Sequence, residues 1–219
     1  LKDELDVYLR GRANESKFEK TLLDNDNQGY VWYQKGGLIL YGLQDLIGEN
    51  NLNNGFKSYV KAAKFREKAP FTTTTEWYDY IKSVTPDSLK YYLEDSFEKI
   101  TLYSNKATEA TYKKLDDNKY EVTINIESAK NYFDGTGKLL GQGDKANMLE
   151  IAVLDNDIEN KQGMMVKSPL TIEKIWVKPG KSTYTYITTK LPIKAGIDPY
   201  NKMIDRIPDD NLVTVDEIL

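Results

Sequence analysis

Tyr33 stands at the centre of the segment Tyr30-Val31-Trp32-Tyr33-Gln34-Lys35-Gly36-Gly37, which runs directly into the apolar stretch Leu38–Ile47. A phenol held at a helix entry could donate a hydrogen bond to a developing negative charge. Helix starts carry unpaired N–H groups and a partial positive charge that favour the same event. Gly36 and Gly37 would let a backbone or a ligand approach closely, at roughly 1 kcal/mol each in helix propensity. The alternative is a buried helix entry with Tyr33 as a core aromatic.

Other chemistry is limited by what the chain lacks. It contains no histidine and no cysteine. That excludes a His-Glu-x-x-His zinc centre, Ser-His-Asp and Cys-His nucleophilic catalysis, and any disulfide within these residues. The 34 acids include no pair set apart in an apolar setting, so the sequence does not single out a glycosidase site. Asp134-Gly135-Thr136-Gly137 and Asp155-Asn156-Asp157 resemble fragments of calcium loops but lack the distal glutamate, and read as turns. Gly141-Gln142-Gly143 has no helix start after it and is no phosphate cradle. Trp77, Trp176, Tyr184 and Tyr186 could line a groove, though residues of this kind more often fill a core or pack a sheet face.

The elements that would position Tyr33 follow from periodicity. Leu5, Tyr8 and Leu9 predict a short opening helix ending at Gly11. Residues 14–29 read as a polar loop. Helices are expected over 34–47 with Gly48 as the stop, and over 52–67 with Phe56, Tyr59 and Val60 on one face and Pro70 as terminator. Another is expected after Thr73, which has capping-box spacing to Glu76, with the stripe Trp77, Tyr80, Ile81 and Val84. A further start at Thr85-Pro86-Asp87 leads to Leu89, Tyr92, Leu93 and Phe97.

After Tyr103 the period becomes two. Tyr120, Val122, Ile124 and Ile126 alternate with polar residues, and Asp116-Asp117-Asn118 reads as the turn of a hairpin with 107–115. Strands are expected at 148–154, 164–166, 170–177 and 184–189, and the tail from 195 reads as loop with one strand near 212–215. Helices followed by strands, without alternation, predict an α+β chain of two domains. These are a helical region over 1–103 and a small antiparallel, Ig-like β-sandwich over 104–197, with a C-terminal tail over 198–219.

With 219 residues, 40% of them hydrophobic, a sizeable core is available. A net charge of −4 without a basic stripe argues against nucleic acid as a partner. No segment is apolar for long enough to insert in a membrane. A start at Leu-Lys-Asp-Glu-Leu reads as an excised or processed piece, with any targeting signal outside it.

Tyr33-Gln34-Lys35-Gly36-Gly37, the apolar helix, Ile47-Gly48-Glu49, Phe56…Tyr59 and Thr75-Glu76-Trp77-Tyr78-Asp79-Tyr80 together resemble the M1 family of zinc aminopeptidases. The likeness covers about residues 1–100, and 105–195 by architecture alone. It implies the C-terminal half of a peptidase catalytic domain followed by an appended sandwich. Tyr33 then matches the family tyrosine that hydrogen-bonds the oxyanion of the tetrahedral intermediate, with Lys35, Gly36 and Gly37 supporting the motif. Gln34 stands where the family has glutamate. The zinc, its histidines, its third ligand and the general-base glutamate are expected in upstream sequence of the same polypeptide, so this stretch alone would hold no zinc and hydrolyse nothing. The parent would act on peptide substrates. The narrower resemblance is to the M1-like domain fused to bacterial ABC-2-type permeases, which implies a membrane-anchored position on the extracytoplasmic side of the inner membrane. A non-catalytic, peptidase-like scaffold of a transport protein is the alternative, and an independent binding module with Tyr33 in its core is the third reading.

Overall fold

The computed structural model describes residues 1–115 and 118–218. Of the expected hairpin turn, Asp116 and Asp117 therefore lie outside the described residues. The protein is α+β with several sheets. Its backbone divides into two compact units: Leu1–Thr101 with Tyr132–Gly141 and Lys202–Ile204, and Leu102–Asn131 with Gln142–Asn201 and Asp205–Leu219.

In the first unit, α1 spans Lys2–Ala13 and buries Leu5 and Tyr8. It does not end at Gly11 as expected. Gly11 is a helical contact point, since a Cβ there would come within 2.6 Å of the Tyr30 side chain. A π-helical turn, Tyr30–Lys35, feeds without a break into α2, Gly36–Ile47. Gly48, with φ of 85°, ends α2 as predicted, a conformation that glycine adopts without steric cost. α3 covers Glu49–Ala63, four residues short of the expected end, and α4 covers Thr74–Val84. The Thr73 side chain caps α4 by accepting the Glu76 N–H at 3.1 Å. The Glu76 carboxylate forms no reciprocal cap; it is bound by Arg66 at 2.7 and 2.8 Å.

α3 and α4 pack through Gly55, whose missing side chain leaves room for Ile81 and Val84. Aromatic rings fill the remaining space: Phe56 on Trp77, Tyr59 on Tyr80, and Trp77 and Tyr78 on Phe97. Val60, expected on the buried face, points to solvent. After a short 3-10 turn, α5 (Lys90–Leu93) runs into a second π-helical turn, Glu94–Glu98, and this segment buries Leu89, Tyr92, Leu93 and Phe97.

The remaining elements are strands, most of them in the second unit. The larger sheet has the order β11-β1-β2-β3, with β1 at Ile100–Lys114, β2 at Tyr120–Phe133, β3 at Leu139–Gln142 and β11 at Asp216–Glu217. β8, Gly180–Thr188, also pairs antiparallel with β2, Tyr120 opposite Thr188 and Ser128 opposite Gly180. The second sheet runs β10-β9-β4-β7: Leu212–Thr214, Lys194–Ile197, Asn147–Leu154 and Pro169–Val177. Ile158–Glu159 (β5) and Met165–Val166 (β6) form a separate pair. β11 departs from the antiparallel expectation, lying parallel to β1.

β9 lies where loop is expected from residue 195 on, because Ala195-Gly196 carries no strand signal. The glycine is required there, since any Cβ would collide with the Asn211 carbonyl and press to 3.0 Å on Ala107. Nearby, the fully buried Asp205 accepts the N–H groups of Asn105 (2.7 Å) and Ile207 (2.9 Å), and burial raises its pKa to about 6.

Close approach in the Tyr33 helix falls at Gly42, where a Cβ would strike the Tyr92 hydroxyl and lie 3.1 Å from the Lys202 carbonyl. Gly37 has nothing within 4 Å. Gly42→Ala should therefore cost about 1–3 kcal/mol by overpacking. Gly37→Ala should be neutral or slightly stabilising through helix propensity. Chemical denaturation of the two variants, read as a change in ΔG, checks the contrast.

Candidate functional site

The structure sets Tyr33 inside a continuous helix, not at its first turn. The helix is under way by Tyr30, and the Gly36 N–H reaches back to the Val31 carbonyl, the i→i+5 bond of a π turn. Partial positive charge from a helix start therefore belongs near Gly29 and Tyr30, and the expectation that it favours an anion at Tyr33 is corrected. The reason lies in packing, for Val31 is buried and Tyr30 stacks on Tyr8 at 6.1 Å, which holds this segment in the helix. π turns recur at functional sites because the extra residue re-aims side chains.

Here the turn separates two of the predicted site residues. Tyr33 is 74% exposed, whereas Lys35, two residues on, is fully enclosed. Gly37 and Tyr41 follow Tyr33 at intervals of four, and all three are exposed. Trp32 sets its ring edge-on to Tyr33 at 5.9 Å. The outward face thus presents Trp32, Tyr33 and Tyr41 around the bare backbone of Gly37. Gly36 faces inward, where Leu22 lies at an ordinary 3.5 Å from the position of a Cβ.

Beneath this face lies a charged cluster centred on Glu19, a residue of the expected polar loop over 14–29. Lys35 Nζ donates to Glu19 Oε1 at 3.0 Å, and both side chains are only 1% exposed. The Tyr8 hydroxyl donates to the same oxygen at 2.7 Å, and Arg12 Nε donates to Oε2 at 2.6 Å. Lys35 also stands over the Tyr8 ring at 5.3 Å, and Arg12 over the Phe133 ring at 5.0 Å. The surrounding loop is pinned in turn. Gln28 donates to Glu15 and to the Phe18 carbonyl, both at 2.8 Å, and Tyr30 donates to Glu15 at 3.2 Å.

Burial alone would raise the Glu19 pKa; Lys35, Tyr8 and Arg12 outweigh it and hold the carboxyl below its ordinary range. Burial lowers the Lys35 pKa, with Glu19 opposing. The Tyr8 phenol is pushed well up by burial and by the neighbouring carboxylate. Lys35 is thus committed inward, where it orients the helix that carries Tyr33. Its own sequence position held the clue, since a lysine entering an apolar helix needs a buried acid.

Two further observations bound the chemistry. A cleft of about 670 Å³, lined by Phe18, Glu19, Ile100, Tyr132, Phe133 and Leu140 among others, does not include Tyr33. Among the described residues no group of three or more His, Cys, Asp or Glu could hold a metal ion. The calcium-like fragment at Asp134 is satisfied internally, its carboxylate accepting from Thr136 N, Thr136 Oγ1 and Lys138 N at 2.7–2.9 Å.

No protein-family model matches the chain, and comparison with curated proteins gives no match. Among solved structures, a β-glucosidase from Listeria innocua in complex with isofagomine is similar over 54% of this chain and 17% of that chain. The identity is 14% and the TM-score 0.26, too low to bear on function.

Leaving Glu19 or Lys35 buried without its partner should cost about 3–5 kcal/mol, so Lys35→Met is expected to lower the melting temperature sharply. The folded pKa of Glu19 lies below its unfolded value. Its contribution is therefore present above the ordinary glutamate pKa and is lost as pH falls through the depressed one. Thermal melts of wild type and Glu19→Gln between neutral and acidic pH should converge as pH falls.

Proposed function

We propose that this chain is the C-terminal part of an M1-type zinc metallopeptidase, in which Tyr33 stabilises the oxyanion of the tetrahedral intermediate. The observation that carries the reading is the exposed Tyr33 phenol, on a helix whose opposite side is locked by Lys35 and Glu19. A donor carried on an anchored helix backbone needs less reorganisation when charge develops, and one that meets only the developing charge favours the transition state over the ground state. In this reading residues 1–103 are the helical half of the catalytic domain and 104–197 an Ig-like β-sandwich. Gly37 keeps the helix surface beside the phenol free of side chain.

The residues present do not fit a zinc ion: the chain has no histidine, and its described acids form no ligand group. The metal and the general base would belong to upstream sequence of the same polypeptide, and peptides would be the substrates of the parent. Among the described residues no helix is long and apolar enough to cross a membrane. The membrane anchor and ABC-type permease association are proposed from the resemblance alone.

Gln34, where the family has glutamate, favours a second reading: a peptidase-like scaffold without catalysis. An intact His-Glu-x-x-His upstream separates the enzyme from the scaffold.

In the full-length protein, Tyr33→Phe should lower kcat on an aminoacyl chromogenic substrate by about 10²–10³-fold, the usual cost of one lost oxyanion donor. Stability should change by less than about 0.5 kcal/mol, because the hydroxyl is at the surface. Unchanged turnover by an otherwise active parent removes Tyr33 from the mechanism.

A further inference from the structure

The connection between α3 and α4 concentrates cations and exposed phenyl rings. Residues 57–71 contain Lys57, Lys61, Lys64, Arg66 and Lys68 against the single acid Glu67, in a chain of net charge −4. Lys57, Lys61 and Lys64 recur at helical spacing along the exposed side of α3 and its C-terminal cap. None of these lysines, nor Lys68, forms an ion pair with a described residue. Placing cations at a helix C-terminus favours the macrodipole, but the last turn alone satisfies that preference. It does not explain Lys57 or Lys68.

Two aromatic side chains stand among these charges. Phe65 is 90% exposed and Phe71 66% exposed. Phe65 also has a φ of 59°, a left-handed conformation in which asparagine is enriched and phenylalanine is an outlier. An aromatic ring held at backbone cost, without packing, gains nothing for the fold. Residues strained in this way cluster at binding sites.

The connection is also braced. Arg66 binds Glu76 through both nitrogens of its fork and reaches the Ala62 carbonyl at 3.5 Å and the Pro70 carbonyl at 3.4 Å. The end of α3, the loop and the start of α4 are thereby tied to one side chain. Lys64, Phe65, Lys68 and Phe71 project from that brace.

We propose that this α3–α4 arch docks on a bilayer surface rich in anionic phospholipid. Phe65 and Phe71 enter the boundary between headgroups and acyl chains, and Lys57, Lys61, Lys64 and Lys68 lie against lipid phosphates. A bilayer is favoured over an acidic protein or a nucleic acid because it accepts projecting phenyl rings without a shape-matched groove. Phenylalanine also offers no hydrogen-bonding tip to a polar partner. The inference is independent of any role for Tyr33.

The test is flotation of the whole chain with vesicles of phosphatidylcholine alone, or with a third of the lipid as phosphatidylglycerol. Each lysine near an anionic surface contributes about fivefold in partitioning. Wild type should float with the anionic vesicles at low salt and be released at high salt. The combined K57Q/K61Q/K64Q/K68Q variant should bind at least about tenfold more weakly. Phe65→Asn with Phe71→Ser should lose a similar factor while keeping its melting temperature, since asparagine suits the left-handed backbone better than phenylalanine does. Failure of the wild type to float, or equal binding by either variant, would overturn the proposal. So would tighter binding to duplex DNA than to vesicles, unaffected by loss of the two phenyl rings.

Discussion

A lysine and a glutamate, both almost wholly buried, tie together the segments of the first unit that carry the candidate site. Each charge costs several kcal/mol to desolvate, and only close geometry with further donors offsets that cost. The structure provides it: Glu19 receives Lys35, Tyr8 and Arg12, one from α2's approach and two from α1. The loop over 14–28 is irregular in secondary structure yet fixed in position, because its one buried acid must reach three partners. Its Gln28 and Glu15 contacts then secure the rest.

Committing Lys35 inward determines what the helix shows outward. Within a π turn running into an α-helix, residues two apart point to opposing sides, so an enclosed Lys35 leaves Tyr33 in solvent. The Tyr8–Tyr30 stack and the absent side chain of Gly11 set the angle from the other end. An exposed tyrosine on a mobile loop would have little catalytic value. On a helix anchored by a buried ion pair it becomes a positioned donor, which is the physical content of the oxyanion proposal.

How much of this was legible in the sequence depended on whether local or long-range forces set each feature. The α2 stop at Gly48, the Thr73 cap and the period-two run at Tyr120 were readable because local backbone chemistry decides them. The extension of α1 past Gly11 was not, because the reason is the Tyr30 ring, far along the chain. Gly36 and Gly37 carry the sequence pattern expected for close approach, but that role belongs to Gly42, where Tyr92 and Lys202 arrive from distant segments. Strand β9 was hidden by Ala195-Gly196, small residues required by Ala107 and Asn211. At the candidate site, residue type and spacing mark Tyr33 and Lys35, while Glu19, the residue that divides their roles, lies in a polar stretch with no periodic signal.

The central claim is that Lys35 and Glu19 form a charged buried pair that orients the Tyr33 helix. Titration of the Glu19 carboxyl by NMR, in wild type and in Lys35→Met, tests it most directly. In wild type the midpoint should lie below the ordinary glutamate range; in the variant burial should dominate and raise it. A Glu19 midpoint at the ordinary value in wild type, or one that removal of Lys35 leaves in place, would contradict the account.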